Sequence, residues 1–285
     1  MFMLDISSPE SLDEALELKK NHGNEIQVLA GGTDVLINIT KGAESVHRSA
    51  ILNLTKIEEL HFVRETTDTI EIGPLVTHSE IIHNQLIQAH IPSLCKAASF
   101  IGSPQIRNQG TLVGNVVNAS PAADSLPVLY ARDALIEVST VEKKKLVPVN
   151  EFIKGPGLVD LDPAGIVTKV VVPKLPGFYG DYLTLRQRKA ISINVVSLGG
   201  EMLVSRDGVI EDIRIALGAV SPTVVRGVMT EHLLRNRKLS SGLVKEAAEL
   251  VQTECVPIDD FRSNKEYRGA MVRVLLQRFL QSINQ

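Results

Sequence analysis

The sequence predicts a two-domain α+β protein, and three observations lead to this prediction. The chain has 285 residues, of which 44% are hydrophobic and 22% are charged, which suits two globular domains. Leu175-Pro176-Gly177 is the clearest break in the chain, so we expect domains at 1–175 and 176–285. Strand patterns followed by two long helix patterns after this break are typical of an α+β unit.

Capped helices and short strands alternate through the first domain. Ser11 and Glu14 form a capping-box pattern at the start of the first helix, and Thr77 and Glu80 form another. The other predicted elements are strands at 26–30, 51–54, 69–72, 134–140, 145–148 and 166–173, a short helix or turn at 35–39, and helices at 77–84, after Ile91-Pro92-Ser93 and at 124–131.

The second domain has its strand patterns first and its helix patterns last. The predicted elements are strands at 182–188, 195–204 and 210–217 and helices at 240–254 and 266–283. Arg206-Asp207-Gly208 predicts a hairpin turn between the last two strands. We therefore expect a three-stranded antiparallel sheet with helices.

Charge and hydropathy argue against two classes of function. The net charge is -3 and the longest run of Lys or Arg is Lys143–Lys145, so the sequence predicts no nucleic-acid-binding surface. The sequence has no stretch of about 18 or more apolar residues, so it predicts no membrane span. Residues 1–13 lack the basic region of a secretory signal, and we expect a cytoplasmic location.

Cysteine and histidine spacing predict no metal site on this chain. Cys95 and Cys255 are the two cysteines, too few for a four-thiolate iron–sulfur cluster or an all-cysteine zinc site. Both are interpreted as buried thiols. His78, His83 and His90 lack the spacing of a zinc motif and are interpreted as surface residues.

Two glycine segments form the candidate binding site. They are Leu29-Ala30-Gly31-Gly32-Thr33-Asp34 and Gln109-Gly110-Thr111-Leu112-Val113-Gly114-Asn115. Glycine lets the backbone approach a ligand, and several N–H dipoles can share the charge of a diphosphate. A Gly-Gly turn alone is more often only a tight turn, and neither segment matches the G-x-G-x-x-G or P-loop fingerprint. Together, however, they favour a bound diphosphate.

Further candidate residues lie near these segments. Asp124 begins a predicted helix and is either its N-cap or an acceptor for ligand hydroxyl groups. Phe100 and Ile101 are either core residues or an apolar wall beside a flat ring. Ser120 lacks the G-x-S-x-G setting of a nucleophile, and we assign no catalytic residue.

The motifs together resemble a known protein family. Those that carry the resemblance are Ala30-Gly31-Gly32-Thr33-Asp34, Ser103-Pro104-Gln105-Ile106-Arg107-Asn108, Thr111-Leu112-Val113-Gly114-Asn115, Asn118-Ala119-Ser120-Pro121-Ala122-Ala123-Asp124-Ser125, Gly218-Ala219-Val220-Ser221-Pro222-Thr223 and Asp260-Phe261-Arg262-Ser263 with Tyr267-Arg268. Over nearly its whole length the chain resembles the FAD-binding medium subunit of the molybdenum hydroxylases, the xanthine dehydrogenase and carbon monoxide dehydrogenase family. The resemblance implies a two-lobed FAD-binding domain of the vanillyl-alcohol oxidase (PCMH) type, with lobes at about 1–56 and 57–175, and a smaller C-terminal domain.

The resemblance also implies a flavin site. Its residues are Leu29, Ala30, Gly31, Gly32, Thr33, Asp34, Val35, Phe100, Ile101, Thr111, Val113, Gly114, Asn115, Asp124, Ile166 and Thr184. The glycine segments would hold the diphosphate, and Asp124 would meet the ribityl or nearby hydroxyl groups. Phe100 and Ile101 would lie by the flavin, with Ile166 near the adenine or the ring edge.

The implied function is electron transfer through FAD. Family members pass electrons from a molybdenum centre through iron–sulfur clusters to FAD, and then to NAD⁺, a quinone or oxygen. The molybdopterin and the clusters would lie on partner chains, an iron–sulfur subunit and a molybdopterin-binding subunit, because two cysteines cannot hold a cluster. FAD is expected to be non-covalent, since no ring-linking His or Cys lies beside either segment.

Two departures from the family pattern leave an alternative open. Val113 stands where the commoner form of the family motif has a glycine, and Thr184 stands where the family often has a lysine. The alternative is a non-catalytic nucleotide-binding or scaffold protein of the same fold. A sugar-nucleotide enzyme of related fold is disfavoured, because no acid–base constellation is found.

Overall fold

The computed structural model describes residues 5–40, 50–188 and 191–282. The strands are β1 (Asp5–Ser7), β2 (Ile26–Leu29), β3 (Ala50–Asn53), β4 (Val63–Glu65), β5 (Thr69–Ile72), β6 (Leu135–Ser139), β7 (Lys144–Pro148), β8 (Ile153–Gly155), β9 (Leu158–Val159), β10 (Ile166–Pro173), β11 (Tyr179–Arg186), β12 (Asn194–Val204), β13 (Ile210–Gly218) and β14 (Val225–Arg226). The α-helices are α1 (Leu12–His22), α2 (Val35–Thr40), α3 (His78–His83), α4 (Gln85–His90), α5 (Pro92–Ser99), α6 (Pro104–Arg107), α7 (Leu112–Asn118), α8 (Ser125–Ala131), α9 (Val149–Phe152), α10 (Val228–Leu234), α11 (Ser241–Thr253) and α12 (Lys265–Gln281). The predicted end of the last helix, at 283, lies outside the described residues.

The N-terminal part of the chain folds around a small parallel sheet with the strand order β1-β3-β2. Ser11 caps α1 by accepting a hydrogen bond from the Glu14 backbone N–H, which confirms the predicted helix start. Leu16 of α1 and Leu52 of β3 belong to a hydrophobic core that also contains Ile166 of β10. The strand β2, which leads into the first glycine segment, thus shares one core with α1, β3 and β10.

A five-stranded antiparallel sheet, in the order β4-β5-β10-β6-β7, lies at the centre of the first domain. Ile70 and Ile72 of β5 share a core with Val170 of β10 and with residues of the helices α3, α4, α5, α7 and α8. Thr77 and Glu80 form the reciprocal capping box that the sequence predicts at the start of α3. This cap fixes the chain beside the second glycine segment, because Thr77 forms a β-bridge with Thr111.

The C-terminal sheet is antiparallel and has the order β11-β12-β13-β14, which gives four strands within the described residues. The prediction of three strands is therefore wrong. The strand β14 has only two residues, Val225 and Arg226, too few to show an alternating pattern. The predicted hairpin turn is confirmed: Gly208, with φ of 77°, lies in the turn between β12 and β13.

A buried ion pair joins the first domain to the C-terminal sheet. Arg132, at the end of α8, donates hydrogen bonds from Nε and Nη2 to the Glu201 carboxylate of β12 at 2.8 and 2.9 Å. Ser93 of α5 donates to the same carboxylate at 2.8 Å. The Arg132 and Glu201 side chains are 2% and 0% exposed, so the relative position of α8 and β12 depends on a pair that water does not reach.

Candidate functional site

A cleft of about 750 Å³ lies between the β2–α2 turn, the start of α7 and the β8–β9 hairpin. Its volume is that of a typical cofactor pocket. Most of the predicted site residues line it, namely Ala30, Gly31, Gly32, Thr33, Asp34, Val35, Ile101, Thr111, Val113, Gly114, Asn115 and Ile166. The two glycine segments, far apart in sequence, therefore form walls of one cavity.

The first glycine segment turns the chain from β2 into α2. Gly32 has a φ of 73°, a left-handed conformation that glycine adopts without a steric penalty. The Leu36 backbone N–H donates to the Gly32 carbonyl at 3.1 Å, and the Asn38 N–H donates to the Asp34 carbonyl at 3.0 Å. The turn after Gly32 therefore leads into α2, which begins at Val35, and leaves bare backbone at the cleft wall.

The two segments are in close backbone contact. A Cβ atom on Gly31 would lie 2.0 Å from the carbonyl oxygen of Gln109 and 3.0 Å from the Cα atom of Gly110. A Cβ atom on Gly110 would lie 3.3 Å from the Thr33 hydroxyl oxygen. The sequence predicted that Gly31 allows approach to a ligand. In the structure, Gly31 is required because the second segment crosses it.

Beyond Thr111 the second segment is the beginning of α7. Thr111 is the N-cap, and its hydroxyl accepts a hydrogen bond from the Gly114 backbone N–H at 3.1 Å. Val113, which departs from the glycine that the resemblance leads us to expect, is 5% exposed and packs in the core of the first domain while lining the cleft. A valine is thus accommodated at this position without filling the space between the segments.

Lys19 and the β8–β9 hairpin also line the cleft, and the sequence interpretation missed both. The Lys19 ammonium donates to the carbonyl of Gly23 at 2.5 Å and lies 3.4 Å from that of Ile26. A signal for Lys19 was present, because it continues the apolar stripe of Ala15 and Leu16 on the first helix. A lysine on a buried helix face brings its charge to an interior wall.

Burial changes the ionisation of two groups on the cleft. Desolvation by the surrounding protein raises the pKa of the Asp34 carboxyl. Burial, and then the charge of Arg107, lower the pKa of His78 to about 4. The interpretation of His78 as a surface residue is wrong, because it is 2% exposed. Its Nδ1 atom has no hydrogen-bond partner among the described residues.

We expect the stability of the chain to fall as the pH falls from about 6.5 to about 4. Over this range unfolded His78 takes up a proton while folded His78 stays neutral, so protonation favours the unfolded state by up to roughly 3 kcal/mol. The measurement is the free energy of unfolding of wild type and His78→Gln between pH 4 and 7. The variant should lose part of the pH dependence, whereas His83→Gln, at an exposed position, should keep it. Equal slopes for wild type and His78→Gln would contradict the assignment.

Four predicted site residues do not line this cleft. Leu29 ends β2, and its carbonyl accepts a hydrogen bond from the Leu54 N–H at 2.9 Å. Phe100 and Thr184 line a second, more open cavity of about 420 Å³ together with residues 185–188. Asp124 is buried, and its side chain makes no cap hydrogen bond to α8 among the described residues. Asp124 therefore stands at the N-cap position of α8, as one of the two interpretations predicts, but its side chain does not act as the cap.

The Asp124 carboxylate is instead bonded to the C-terminal domain. Its Oδ1 atom accepts hydrogen bonds from the Tyr182 hydroxyl at 2.6 Å, from the Asn194 amide at 2.9 Å and from Arg186. Burial, and then the Asp124 carboxylate, raise the pKa of Tyr182 well above its usual value. Asn194 also accepts a hydrogen bond from the Thr184 hydroxyl. Asp124 and Thr184 thus belong to one polar network at the domain interface.

Two further features bear on the class of protein. Within residues 5–40, 50–188 and 191–282, no group of three or more His, Cys, Asp and Glu side chains could hold a metal ion. In the same part of the chain no helix combines the length and the apolar character needed to cross a membrane.

Comparison with known proteins gives matches over nearly the whole chain. Residues 2–175 match the FAD binding domain in molybdopterin dehydrogenase, and residues 182–283 match the CO dehydrogenase flavoprotein C-terminal domain. The glyceraldehyde dehydrogenase medium chain of Sulfolobus acidocaldarius is 31% identical over 96% of both chains. The xanthine dehydrogenase FAD-binding subunit of Escherichia coli O157:H7 is 28% identical over 90% of this chain and 88% of its own length. A solved carbon monoxide dehydrogenase from Hydrogenophaga pseudoflava is similar in structure, with a TM-score of 0.91 and 27% identity over 96% of this chain and 95% of that one.

These matches define the class: the chain is a flavin-binding subunit of an oxidoreductase. It belongs to the family of molybdopterin dehydrogenase FAD-binding subunits, which confirms the resemblance and FAD as its cofactor. The cleft suits FAD chemically. Bare backbone at Gly31 and Gly32 and the Thr33 hydroxyl line one part of it, and apolar side chains such as Leu161 and Ile166 line another, as a ligand with a diphosphate and flat rings requires.

Proposed function

We propose that this chain is the FAD-binding electron-transfer subunit of a molybdenum hydroxylase. It takes electrons from iron–sulfur clusters on a partner chain and passes them through FAD to NAD⁺ or another acceptor. The observation that carries the proposal is the cleft formed by the two crossing glycine segments, in a chain that a medium chain matches over 96% of its length. We further propose that the first domain has the vanillyl-alcohol oxidase type of fold and that the chain is cytoplasmic.

Different parts of the cleft would bind different parts of FAD. The diphosphate would lie against Gly31, Gly32 and the start of α7, and the adenine end against Ile166 and the β8–β9 hairpin. The flavin ring would extend past Ile101 toward the second cavity, since Phe100 is its chain neighbour and lines that cavity. FAD, when bound, supplies the redox chemistry, while the protein orients it and controls its surroundings. No described cysteine lines the cleft, and its histidine, His78, lies against Gly110 of the segment assigned to the diphosphate, so we propose non-covalent binding.

The redox centres that feed this FAD would belong to other chains. Cys95 and Cys255 are the chain's two cysteines. Two cysteines are too few for a four-thiolate cluster, and burial raises their pKa values to about 11 and about 12, respectively. The relatives are described as medium chains and FAD-binding subunits. We therefore propose an iron–sulfur subunit and a molybdopterin-binding subunit as partners.

The alternative, a non-catalytic protein of the same fold, rested on Val113 and Thr184. Val113 packs in the core and still leaves the cleft open. Thr184 is bonded into the Asp124 network through Asn194. Both residues are compatible with a site that binds FAD, so neither favours the non-catalytic alternative.

Isolation of the native complex tests the proposal. We expect the chain to co-purify from its own cell with partners that contain iron and molybdenum, and to carry about one FAD per chain that acid precipitation releases into the supernatant. Chains that form a stable complex bury about 1,200 Å² or more of total surface between them. If the chain ran alone and oxidised a small molecule with its own flavin at a useful rate, the proposal would be wrong. Flavin retained in the acid pellet would reject non-covalent binding.

A further inference from the structure

We infer that His78 is a further binding residue of the cleft and that its Nε2–H group donates a hydrogen bond to the diphosphate of bound FAD. The inference rests on the proposed function, which places the diphosphate against the glycine segments. His78 is the first residue of α3 and belongs to neither segment, so it would add a side-chain donor beside their backbone N–H groups.

The first step is that His78 lies where the two glycine segments meet. Its backbone N–H donates to the Gly110 carbonyl at 2.9 Å. A Cβ atom built on Gly110 would lie 3.4 Å from the Cδ2 atom of His78 and 3.3 Å from the hydroxyl oxygen of Thr33. All three residues line the cleft. The imidazole is therefore held against the part of the wall that is assigned to the diphosphate.

The second step is that the protein leaves the ring of His78 without hydrogen bonds. The side chain is 2% exposed, and its Nδ1 atom has no partner among the described residues. These residues supply no hydrogen bond to its Nε2 atom either. By contrast, the Nδ1 atom of His83, on the same helix, lies 2.7 Å from the Ser79 carbonyl oxygen. Buried polar groups are almost always bonded, so an unbonded imidazole on a cofactor cleft points to the ligand as its partner.

The third step is that the proton of the neutral ring belongs on Nε2. Burial, and then the charge of Arg107, keep the pKa of His78 at about 4, so at neutral pH the ring has a single N–H group. On the enclosed Nδ1 atom this group would have no acceptor, and buried N–H groups without an acceptor are rarer than unbonded acceptors. The Cδ2 atom, which is bonded to Nε2, is the His78 atom nearest to a Cβ on Gly110. A donor at Nε2 therefore lies beside the cleft wall.

The fourth step is that the charge beside His78 suits an anion. Arg107 acts on His78 through its positive charge. Its Nη1 atom donates to the Ile101 carbonyl at 2.9 Å and lies 3.5 Å from that of Gly102, which holds the guanidinium at this end of the cleft. A diphosphate beside His78 would gain from this charge as well as from the imidazole N–H, because hydrogen bonds to ionised acceptors are the strong ones.

A matched pair of variants of the full chain, His78→Gln and His78→Met, tests the inference. Glutamine can place an amide N–H near the position of Nε2, whereas methionine has a similar shape and no donor. His78→Met should bind FAD about tenfold more weakly than wild type, and His78→Gln should stay within about threefold of it. ADP carries the same diphosphate, so its affinity should fall by the same factors. Affinities are measured for the folded fraction of each variant.

The stability of the FAD-free variants should rank in the opposite order. Without ligand the site offers no partner to a polar atom, so the thermal midpoint of His78→Met should be no lower than that of His78→Gln. A residue that only supports the fold would lose stability and affinity together. His78→Leu is a second apolar variant with the same expected result. The control is His83→Leu, at an exposed position of the same helix, which should leave FAD and ADP affinity unchanged.

Equal FAD affinities for His78→Gln and the apolar variants would overturn the inference, because His78 would then only fill space. Weaker FAD binding with unchanged ADP affinity would overturn it too, since the contact would then lie on the flavin part. If wild type bound ADP but no FAD, the proposed function would fail, whereas the ADP affinities of the variants would still decide the inference. A folded wild-type chain that bound neither ligand would contradict both.

Discussion

Gly31→Ala is expected to weaken FAD binding at least tenfold and to lower the free energy of unfolding by about 3 kcal/mol. The new Cβ atom would lie 2.0 Å from the Gln109 carbonyl oxygen and 2.7 Å from its carbonyl carbon. Both contacts are with backbone, which cannot rotate away as a side chain can, so the two glycine segments must separate. The measurement is a titration with FAD alongside urea denaturation of the FAD-free chain.

Gly32→Ala is the matched control, because it changes the neighbouring glycine without the clash. The described neighbours of a Cβ atom on Gly32 lie no closer than 3.4 Å. Its cost is conformational, about 1–2 kcal/mol for an alanine at a φ of 73°. The folded protein should therefore retain more FAD affinity than Gly31→Ala. Normal FAD binding by folded Gly31→Ala would show that contact between the two segments is not needed to form the site.

Glu201→Leu is expected to lower the free energy of unfolding by about 3–5 kcal/mol. The substitution leaves the Arg132 guanidinium buried without its carboxylate, and it also removes the acceptor of the Ser93 hydroxyl. The lost ion pair lies at the domain interface, so we also expect the substitution to destabilise both domains together. Urea denaturation followed by circular dichroism gives the loss.

The double variant Arg132→Met, Glu201→Leu shows whether the loss of stability comes from the unpaired charge of Arg132 or from the altered packing of the site. Because a well-packed apolar pair can replace a buried ion pair at little cost, the double variant should recover most of the stability that the single variant loses. A double variant as unstable as Glu201→Leu would mean that the packing of this site, and not the buried charge, sets the penalty.

The sequence predicted helix starts and strand bounds well where a short run of neighbouring residues determines them. The capping residues Ser11 and Thr77 mark helix starts that the structure confirms. The strands predicted at 69–72 and 166–173 have the bounds seen in β5 and β10, since alternation is visible over their length. Elements without such signals were missed. For example, α10 begins after Gly227 with no side-chain cap.

The candidate site was predictable only in part, because its geometry depends on long-range contacts. The glycine segments were found from composition, but their crossing at Gly31 and Gln109 was not. Thr111 was not recognised as a helix cap because Gly114, at the third helical position, lacks the acidic side chain of a capping box. The partners of Asp124 lie 58 to 70 positions away in the chain, and no local pattern links them to it.

The most direct test of the central claim is titration of the purified FAD-free chain with FAD, with ADP as competitor. The cleft between the two glycine segments should bind one FAD per chain, and ADP should compete for it because it occupies the diphosphate and adenine part of the cleft. Gly31→Ala should bind both FAD and ADP more weakly than wild type. A correctly folded wild-type chain that bound no FAD, or that bound FAD without competition from ADP and equally well after Gly31→Ala, would contradict the claim that this cleft is the flavin site.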